Sequence, residues 1–481
     1  IEILRFTELL LKNCFDARLY NSHERLLGLL DNDNPMVVAE VLAVFDTMFK
    51  HTGCRSNSLL DHDVYKAKIF SLATGFCVPH STSSLREICT SGVSSEECER
   101  MRKELKFTYP GEGDQKECVI DLAQIAGTGK TTLRKNGKLA KKYQNVPDRY
   151  KYSLKHHLNF ARAFSDEIVR TKYVMIKLMA IRLAMCFSWS RNEWVQKYFK
   201  SNPHLTEMLL DLLQNSHLIP LDVTVLTVHC LKSLTQVPYV ETRMRDLRVL
   251  TDGVIPSLLL QCITRLKTNP DSAPDLLLTG ALLSFIQKIS SENILLAYNR
   301  TLRPADIMDW MVSLISNLAI KNAMVLMRAL RIIEKLIAPS RDLVSIGGVH
   351  HSVSRSRFHQ ANGFDICLKR LQQIYVNSPG KREGLTYIRK RTKTMATGCA
   401  GHLLGKCVKA FLRVASISVR QSRRPIRSDL LKEGEFSNII ITLWRMSQGS
   451  AKGACGDNME SKESENKSSA DMKGPPFLKK K

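Results

Sequence analysis

The segment that most constrains the fold is residues 20–49, in which two apolar helical patterns flank a short turn. The first pattern is L-L-x-L-L at residues 26–30, and the turn is the polar run DNDNP at 31–35. The second pattern consists of Val37, Val38, Val41, Leu42, Phe45, Met48 and Phe49. Apolar residues at this spacing line one helix face that must be buried. Two helices this short cannot bury their faces alone, so the pattern predicts stacked neighbours.

Three further helix pairs with the same character occur downstream. Residues 205–214 repeat L-L-x-L-L at 209–213 and are followed by an apolar segment at 220–237. Residues 250–263 pair with 275–290, and residues 306–317 pair with 320–338. The predicted buried stripes of the last two pairs are Leu278, Leu282, Phe285 and Ile289, then Ile320, Met324, Met327, Leu330, Ile333 and Ile337. A recurrence of about 50 residues predicts an all-α fold, an armadillo/HEAT-like α-solenoid.

The remaining segments interrupt or extend this solenoid. We expect first armadillo-like helices over 1–50, a loop-rich insertion over 51–148, helical repeats over 149–338, a basic linker with one helix over 339–401, the start of a second helical domain over 402–448 and a disordered basic tail over 449–481. The insertion is expected to be partly β, because KELKFTYP (103–110) and ECVIDLAQIAG (117–127) are short extended runs around a turn-prone stretch. The Gly-, Ser- and His-rich run at 345–360 is expected to be a loop.

Composition bounds the environment and the partners. The net charge of +25, from 71 Lys and Arg against 46 Asp and Glu, favours acidic partners without choosing among them. The 13 cysteines show no pairing rhythm, and Cys186, Cys230 and Cys262 lie within apolar helical patterns as small hydrophobic residues. We therefore expect an intracellular protein, cytoplasmic and/or nuclear. The most apolar run, 173–187, contains Lys177 and Arg182 and is too short to span a membrane, so no membrane contact is expected.

One stretch resembles a nucleotide-binding motif. GTGKTT at 127–132 ends like a phosphate-binding loop, in which glycines expose backbone N–H groups and a lysine, here Lys130, reaches the phosphates. The first glycine of that pattern would fall at position 124, which is Gln124, and the alternating strands and helices of such folds are missing from the pattern. We interpret the stretch as a basic surface loop and predict no cofactor.

No metal or catalytic site is predicted. Cys399, His402 and Cys407 have the spacing of a zinc site but no fourth ligand nearby, so they are interpreted as helix residues. The pairs His156–His157 and His350–His351 are interpreted as surface or capping histidines. Met175, Met179 and Met185 are interpreted as core filling.

Two basic runs remain open in meaning. Residues 381–393 (KREGLTYIRKRTK) and 420–427 (RQSRRPIR) have the form of nuclear-localisation signals, and each could equally be a solvated surface. Nucleic-acid binding is weakened by the scarcity of aromatic residues nearby, where only Tyr387 and Phe411 occur.

Several stretches taken in order resemble the N-terminal region of the giant HECT-type E3 ubiquitin ligases, the Mule/UPL/Tom-one group. The stretches are residues 3–49, KFTYP and ECVIDLAQI, residues 156–188, RFHQANGFDICLKRLQQI, and residues 403–444. In that group the region comprises two adjoining armadillo-like domains of unknown function. The resemblance covers most of residues 1–447, and its specificity comes from the order of the segments.

The resemblance implies a fragment of a longer chain, a non-catalytic scaffold that recruits substrates for ubiquitination. The thioester-forming cysteine would lie in a C-terminal HECT domain, which none of these residues resembles, and the conjugating enzyme would be contacted only through that domain. The alternative is a free-standing basic solenoid adaptor that binds nucleic acid or acidic proteins. Nucleic-acid binding predicts affinity that falls steeply with salt.

Overall fold

The structure is a computed structural model of the 481-residue chain. It describes residues 1–13, 23–52, 63–74, 76–79, 84–109, 118–122, 146–186, 204–235, 253–291, 304–319, 322–337 and 348–377, with residues 410, 411, 413 and 414.

Helices dominate these residues. In the N-terminal part they are α1 (Glu2–Asn13), α2 (His23–Leu29), α3 (Pro35–Thr52), α4 (Asp63–Thr74), α5 (Leu85–Cys89), α6 (Ser95–Lys103), α7 (Asp148–Arg162) and α8 (Glu167–Cys186). In the C-terminal part they are α9 (His204–Gln214), α10 (Leu221–Leu234), α11 (Val254–Thr268), α12 (Ala273–Ser291), α13 (Pro304–Asn317), α14 (Ala323–Ile337), α15 (Gly348–Gln360) and α16 (Gly363–Asn377).

The helices stack in two layers. The first layer runs through α1, α3, α8, α10, α12 and α14, each packed against the next. The second runs through α5, α9, α11 and α13, and the pairs α9/α10, α11/α12 and α13/α14 join the layers. Since each pair buries its apolar faces only against its neighbours, the arrangement is the all-α, solenoid-like fold expected from the sequence.

The leucine patterns are buried in the apolar core. Leu209, Leu210, Leu212 and Leu213 are buried, and in the first copy Leu26, Leu27 and Leu30 are buried. Leu278, Leu282 and Phe285 are buried as predicted. In the fourth copy Met324 was wrongly placed on the buried stripe, because it is 40% exposed. The apolar positions of α14 centre instead on Leu326, Leu330 and Ile333, which turns Met324 outward.

Three short strands form the only sheet among the described residues. They are β1 (Phe76–Pro79), β2 (Leu105–Tyr109) and β3 (Cys118–Asp121), antiparallel in the order β1-β2-β3. Strands β2 and β3 lie in the two runs predicted to be extended. Along β2, alternate residues are buried, as expected for a strand with one face on the core. The sheet packs through β2 against α7.

The described part of residues 51–148 packs directly on the helical body. Helix α4 lies against α7 and α8, and α5 lies against α8 and α9. The sequence suggested loops with short helices here, whereas α4 is a 12-residue helix whose Ile69, Leu72 and Ala73 are buried. The division of the chain into six domains stays a prediction.

The expected loop over 345–360 is wrong, because residues 348–360 form helix α15. Its apolar pattern is weak, since Phe358 and the small residue Ser354, one turn earlier, are its buried side chains among those described. Arginines attach the helix instead. Arg355 Nε donates to the carbonyl of Ile337 at 3.0 Å, and Arg357 pairs with Asp309 at 2.6 Å. Periodicity of apolar residues does not detect a helix held mainly by polar contacts.

No helix in the described ranges is both long and apolar enough to cross a membrane.

Candidate functional site: the buried polar seam of helix α8

Helix α8 packs against α3, α4, α5, α7 and α10. It is also rich in buried charge, with Arg170, Lys177 and Arg182 all buried. An unpaired charge in such a position costs several kcal/mol in real proteins, so each must have partners. The cations of α8 and the groups that face them are called here the α8 seam.

Lys177 is fully buried and bonded to the backbone. Its Nζ donates to the carbonyl of Leu72 at 2.6 Å and lies 5.8 Å from the ring centroid of Tyr173. Leu72 is in the last turn of α4, where carbonyl groups lack partners within the helix and the helix dipole is negative. The lysine therefore caps α4 from a neighbouring helix.

Arg170 does the same for two other helices. Its Nε donates to the carbonyl of Ile88 in α5 at 3.1 Å. One terminal nitrogen donates to the carbonyls of Phe164 at 3.0 Å and Ser165 at 3.2 Å, directly after α7 ends. One guanidinium thus joins the ends of two helices to the start of α8.

Two carboxylates complete the seam on the side of α3. Arg182 pairs with Asp46 at 2.9 Å, with both side chains about nine-tenths buried. Glu40 is contacted by Lys172 at 3.5 Å and by Arg5 at 3.3 Å. These pairs attach α1, α3 and α8 to one another.

His156 and His157 lie in the core, so their interpretation as surface or capping histidines was wrong. Both are buried on α7, and Nε2 of His157 lies 3.2 Å from the hydroxyl of Tyr173. His157 also contacts the ring of Phe107 from β2, with centroids 4.6 Å apart. Periodicity missed them because histidine is counted as polar although its ring packs like an aromatic residue.

Burial sets the ionisation of these two histidines. It lowers the pKa of His156 to about 3, and the positive charges of Lys177 and Lys155 add to the effect. Burial also lowers the pKa of His157 well below its ordinary value, with Lys177 as the second cause. Both rings are therefore neutral at pH 7.

The buried thiols are poorly reactive. Burial raises the pKa of Cys89 and of Cys230 to about 12. Burial is also the largest cause of the raised pKa of Cys262. A thiol with so little thiolate is a poor nucleophile, so Cys230 and Cys262 act as the small hydrophobic residues predicted for them. The side chain of Cys186 lies outside what the structure describes.

The seam has the chemistry of a structural element. Its cations donate to backbone carbonyls and buried carboxylates, and the neutral ring of His157 lies between the rings of Phe107 and Tyr173. Within the described ranges, no group of three or more His, Cys, Asp or Glu side chains is placed to hold a metal ion. The signal available in the sequence was the presence of Lys177 and Arg182 inside the most apolar run of the chain.

Other residues considered from the sequence lie elsewhere. Met179 and Met185 are buried and Met175 packs against the core, as expected for core filling. His350 and His351 fall in α15, and their side chains lie outside the description. The stretch 127–132 with Lys130, the set Cys399, His402 and Cys407, the runs 381–393 and 420–427, and the tail 449–481 all lie outside the described residues.

Comparison with known proteins places this seam in a recognised family region. Residues 130–249 match the Domain of Unknown Function (DUF908), which here includes α7 to α10 and all the α8 cations. This region is therefore a helical domain that is similar in sequence to a family whose description states no activity.

Two relatives add a more particular likeness. The chain is 25% identical over 394 residues to the E3 ubiquitin-protein ligase UPL2 of Arabidopsis thaliana, covering 78% of this chain and 10% of that protein. It is 25% identical over 246 residues to the E3 ubiquitin-protein ligase UPL1 of the same plant, covering 49% of this chain and 6% of that protein. These matches confirm the resemblance to the N-terminal region of the giant HECT-type ligases. The matched region is a tenth or less of either relative.

Proposed function

We propose that this chain is a protein-binding scaffold region of a larger HECT-type E3 ubiquitin ligase, which it serves by recruiting substrates. The observation that carries the proposal is the similarity to UPL2 over 78% of the chain. An alignment this long excludes the borrowing of a single motif.

The fold supports a binding role rather than a catalytic one. A stack of helix pairs presents an extended surface, which is how solenoid proteins bind partners. The polar groups at its centre are engaged in holding helices together, and burial raises the pKa of the Cys89, Cys230 and Cys262 thiols. In this proposal the partners are the proteins to be ubiquitinated, met in the cytoplasm or the nucleus, and the conjugating enzyme is bound by a catalytic domain elsewhere in the ligase.

The ligase part of the proposal is tested on the endogenous protein. An antibody raised against this chain is used to isolate the protein from cells. The isolated protein is then incubated with ubiquitin, activating enzyme and a conjugating enzyme. We expect a ubiquitin adduct that a thiol reductant removes, because HECT-type transfer passes through a thioester. A protein with no such adduct would refute the ligase assignment.

The scaffold part is tested with the same reaction and an excess of the 481-residue chain added in trans. We expect conjugation to substrates to fall while thioester formation stays unchanged, because the chain competes only for substrate. The variant Lys177→Glu, which buries an acid against the Leu72 carbonyl, is the misfolded control and should not compete. Inhibition of thioester formation by the wild-type chain would contradict a purely recruiting role.

A further inference from the structure

The outer face of the first layer has a regular arrangement over α10, α12 and α14. In α14, the residues Met324, Arg328, Arg331 and Lys335 recur at i, i+4, i+7 and i+11, so they share one face. Met324 and Arg331 are exposed and the other two are half-buried. This face begins apolar and becomes basic toward the C-terminus of the helix.

Helix α12 repeats the arrangement, but with small residues in the middle of its outer face, here called the low centre. Leu277, Ser284 and Lys288 share its outer face, and Leu277 is 50% exposed. Gly280 and Ser284 leave little side-chain height in the middle of the helix. Helix α10 presents Val225, His229 and Lys232 at the same spacing.

The neighbouring helices place cations over this low centre. Arg328 of α14 donates to the carbonyl of Gly280, and a Cβ at Gly280 would lie 3.3 Å from that guanidinium. From the other side, Nζ of Lys232 donates to Oγ of Ser284 at 2.6 Å. Glycine and serine at these positions allow long cationic side chains to lie flat across α12.

Helices α12 and α14 run parallel, so their faces combine into two bands, and the contact of Lys232 with Ser284 places the C-terminal end of α10 beside the basic one. Asn322 donates to the carbonyl of Pro270 at 3.3 Å, and ten residues further along α12, Gly280 meets Val325 and Arg328. Contacts therefore advance in the same direction along α12 and α14. The N-terminal band is apolar, with Val225, Leu277 and Met324, and the C-terminal band is basic, with Lys232, Lys288, Arg328, Arg331 and Lys335.

Two arginines of the basic band, Arg328 and Arg331, have no acidic partner among the described residues. Among the described residues, neither Arg328 nor Arg331 has a carboxylate within 4.0 Å, and the pKa of Arg328 is lowered by burial and by the charge of Arg331. Glu334 lies on α14 as well, but its contact is with Arg413 at 3.9 Å. Two arginines near each other, with no carboxylate of the described residues beside them, favour an anionic partner.

We propose that the outer face of α10, α12 and α14 binds an extended acidic segment of a partner protein, in which apolar residues alternate with carboxylates. Successive side chains of an extended peptide point to opposite sides, so one side meets the apolar band and the other the basic band. With interaxial distances of 8–10 Å, about 20 Å separates α10 from α14, which roughly six residues span. The proposal deepens the proposed scaffold function by giving the chemistry of one partner.

A polypeptide fits this face better than a nucleic acid does. No Phe, Tyr or Trp occurs among the outward-facing residues named here, whereas single-stranded nucleic acids are bound by stacking on aromatic rings. The exposed Leu277 and Met324 would be left without a role against phosphates, and they match the apolar side chains of a peptide.

The test is direct binding to the full 481-residue chain. The probe is a fluorescein-labelled octapeptide of alternating Leu and Glu, followed by fluorescence anisotropy at low ionic strength. We expect saturable binding, weakened roughly tenfold by Arg331→Glu and by Met324→Ser. The first variant reverses one charge of the basic band, and the second removes one apolar side chain of the apolar band. Both residues are exposed, so these variants should keep the thermal unfolding midpoint of the wild type.

Matched controls lie on the other layer. Lys267 and Leu260 are exposed on α11, so Lys267→Glu and Leu260→Ser should bind like the wild type. Peptides that replace every Leu by Ser, or every Glu by Lys, should bind at least several-fold more weakly.

Three results would overturn the proposal. The first is that the probe shows no saturable binding, and the second is that the α11 control variants lose as much affinity as the α14 variants. The third is that a single-stranded DNA oligomer displaces the peptide and that binding of this oligomer depends on Arg331 but not on Met324. The last would assign the face to nucleic acid. Since the assay involves no ubiquitin, the ligase assignment can fail while peptide binding is observed, and peptide binding can fail while the ligase assignment holds.

Discussion

At the scale of single residues, the main feature is a cation that bonds to the backbone of a neighbouring helix. Lys177 and Arg170 do so from α8, and Arg355 does so on the last residue of α14. Arg370 of α16 repeats it on α13, donating to Ile315 at 2.7 Å and also to Ser316. Part of the positive charge of this chain therefore serves the fold and needs no acidic counterpart.

The buried lysine gives a measurable consequence. Lys177→Met keeps the apolar stem but leaves the Leu72 carbonyl without its donor, so we expect a loss of about 1–3 kcal/mol in the free energy of unfolding. Urea unfolding followed by circular dichroism measures it. The control Lys369→Met changes an exposed lysine of α16 and should alter stability by less than about 0.5 kcal/mol. Equal stability of both variants would show that the buried bond contributes nothing.

At the scale of elements, the turn between α15 and α16 shows how local chemistry fixes a helix junction. Asn362 adopts a positive φ of 53°, a conformation that asparagine tolerates better than most residues. It follows the end of α15, where left-handed residues commonly terminate helices. At Gly363 a Cβ would fall well within 3.0 Å of the Phe358 ring, so the ring packs directly on the backbone.

Two glycine substitutions separate packing from backbone entropy. Gly363→Ala should destabilise the protein by about 1–3 kcal/mol, because Phe358 must leave its buried position. Gly28→Ala, in α2 with open space around it, should stabilise by about 0.5–1 kcal/mol. Thermal unfolding of both variants measures the contrast. A neutral Gly363→Ala would mean that the ring moves at no cost.

The elements that could be predicted are those whose apolar residues repeat. The leucine patterns of α2 and α9 and the stripe of α12 were visible because burial of one helix face leaves a period in the sequence. Helix α15 could not be found this way, since Phe358 is its large buried residue and arginines hold it. The sequence showed Lys177 inside an apolar run but not its partner, because the lysine donates to a backbone carbonyl 105 residues away, which leaves no sequence pattern.

At the scale of the whole molecule, the buried histidines of α7 make the stability of the fold depend on pH. The folded pKa of His156 is about 3, below the ordinary value of 6.5, so the unfolded chain takes up the proton first as pH falls. Stability from this group is complete above pH 6.5 and is lost as pH falls toward 3. His157 shifts in the same direction, so both act together.

The variant His156→Leu isolates this effect. Its stability should depend less on pH than that of the wild type, by about 1.4 kcal/mol per pH unit between roughly pH 6 and pH 4. Unfolding in urea at a series of pH values measures the two slopes, and the carboxylates titrate equally in both proteins. Identical slopes would mean that His156 is protonated in the folded state or equally shifted in the unfolded chain.

The helix-capping cations have a consequence for how this sequence can diverge. A backbone carbonyl is present whatever side chain a position bears, so the hydrogen bond itself does not restrict which residue accepts it; only core packing does. Only the donor must stay a long cation, as with Arg170, Lys177, Arg355 and Arg370. Helix pairs joined in this way can drift far apart in sequence, one partner at a time, and keep the same stacking.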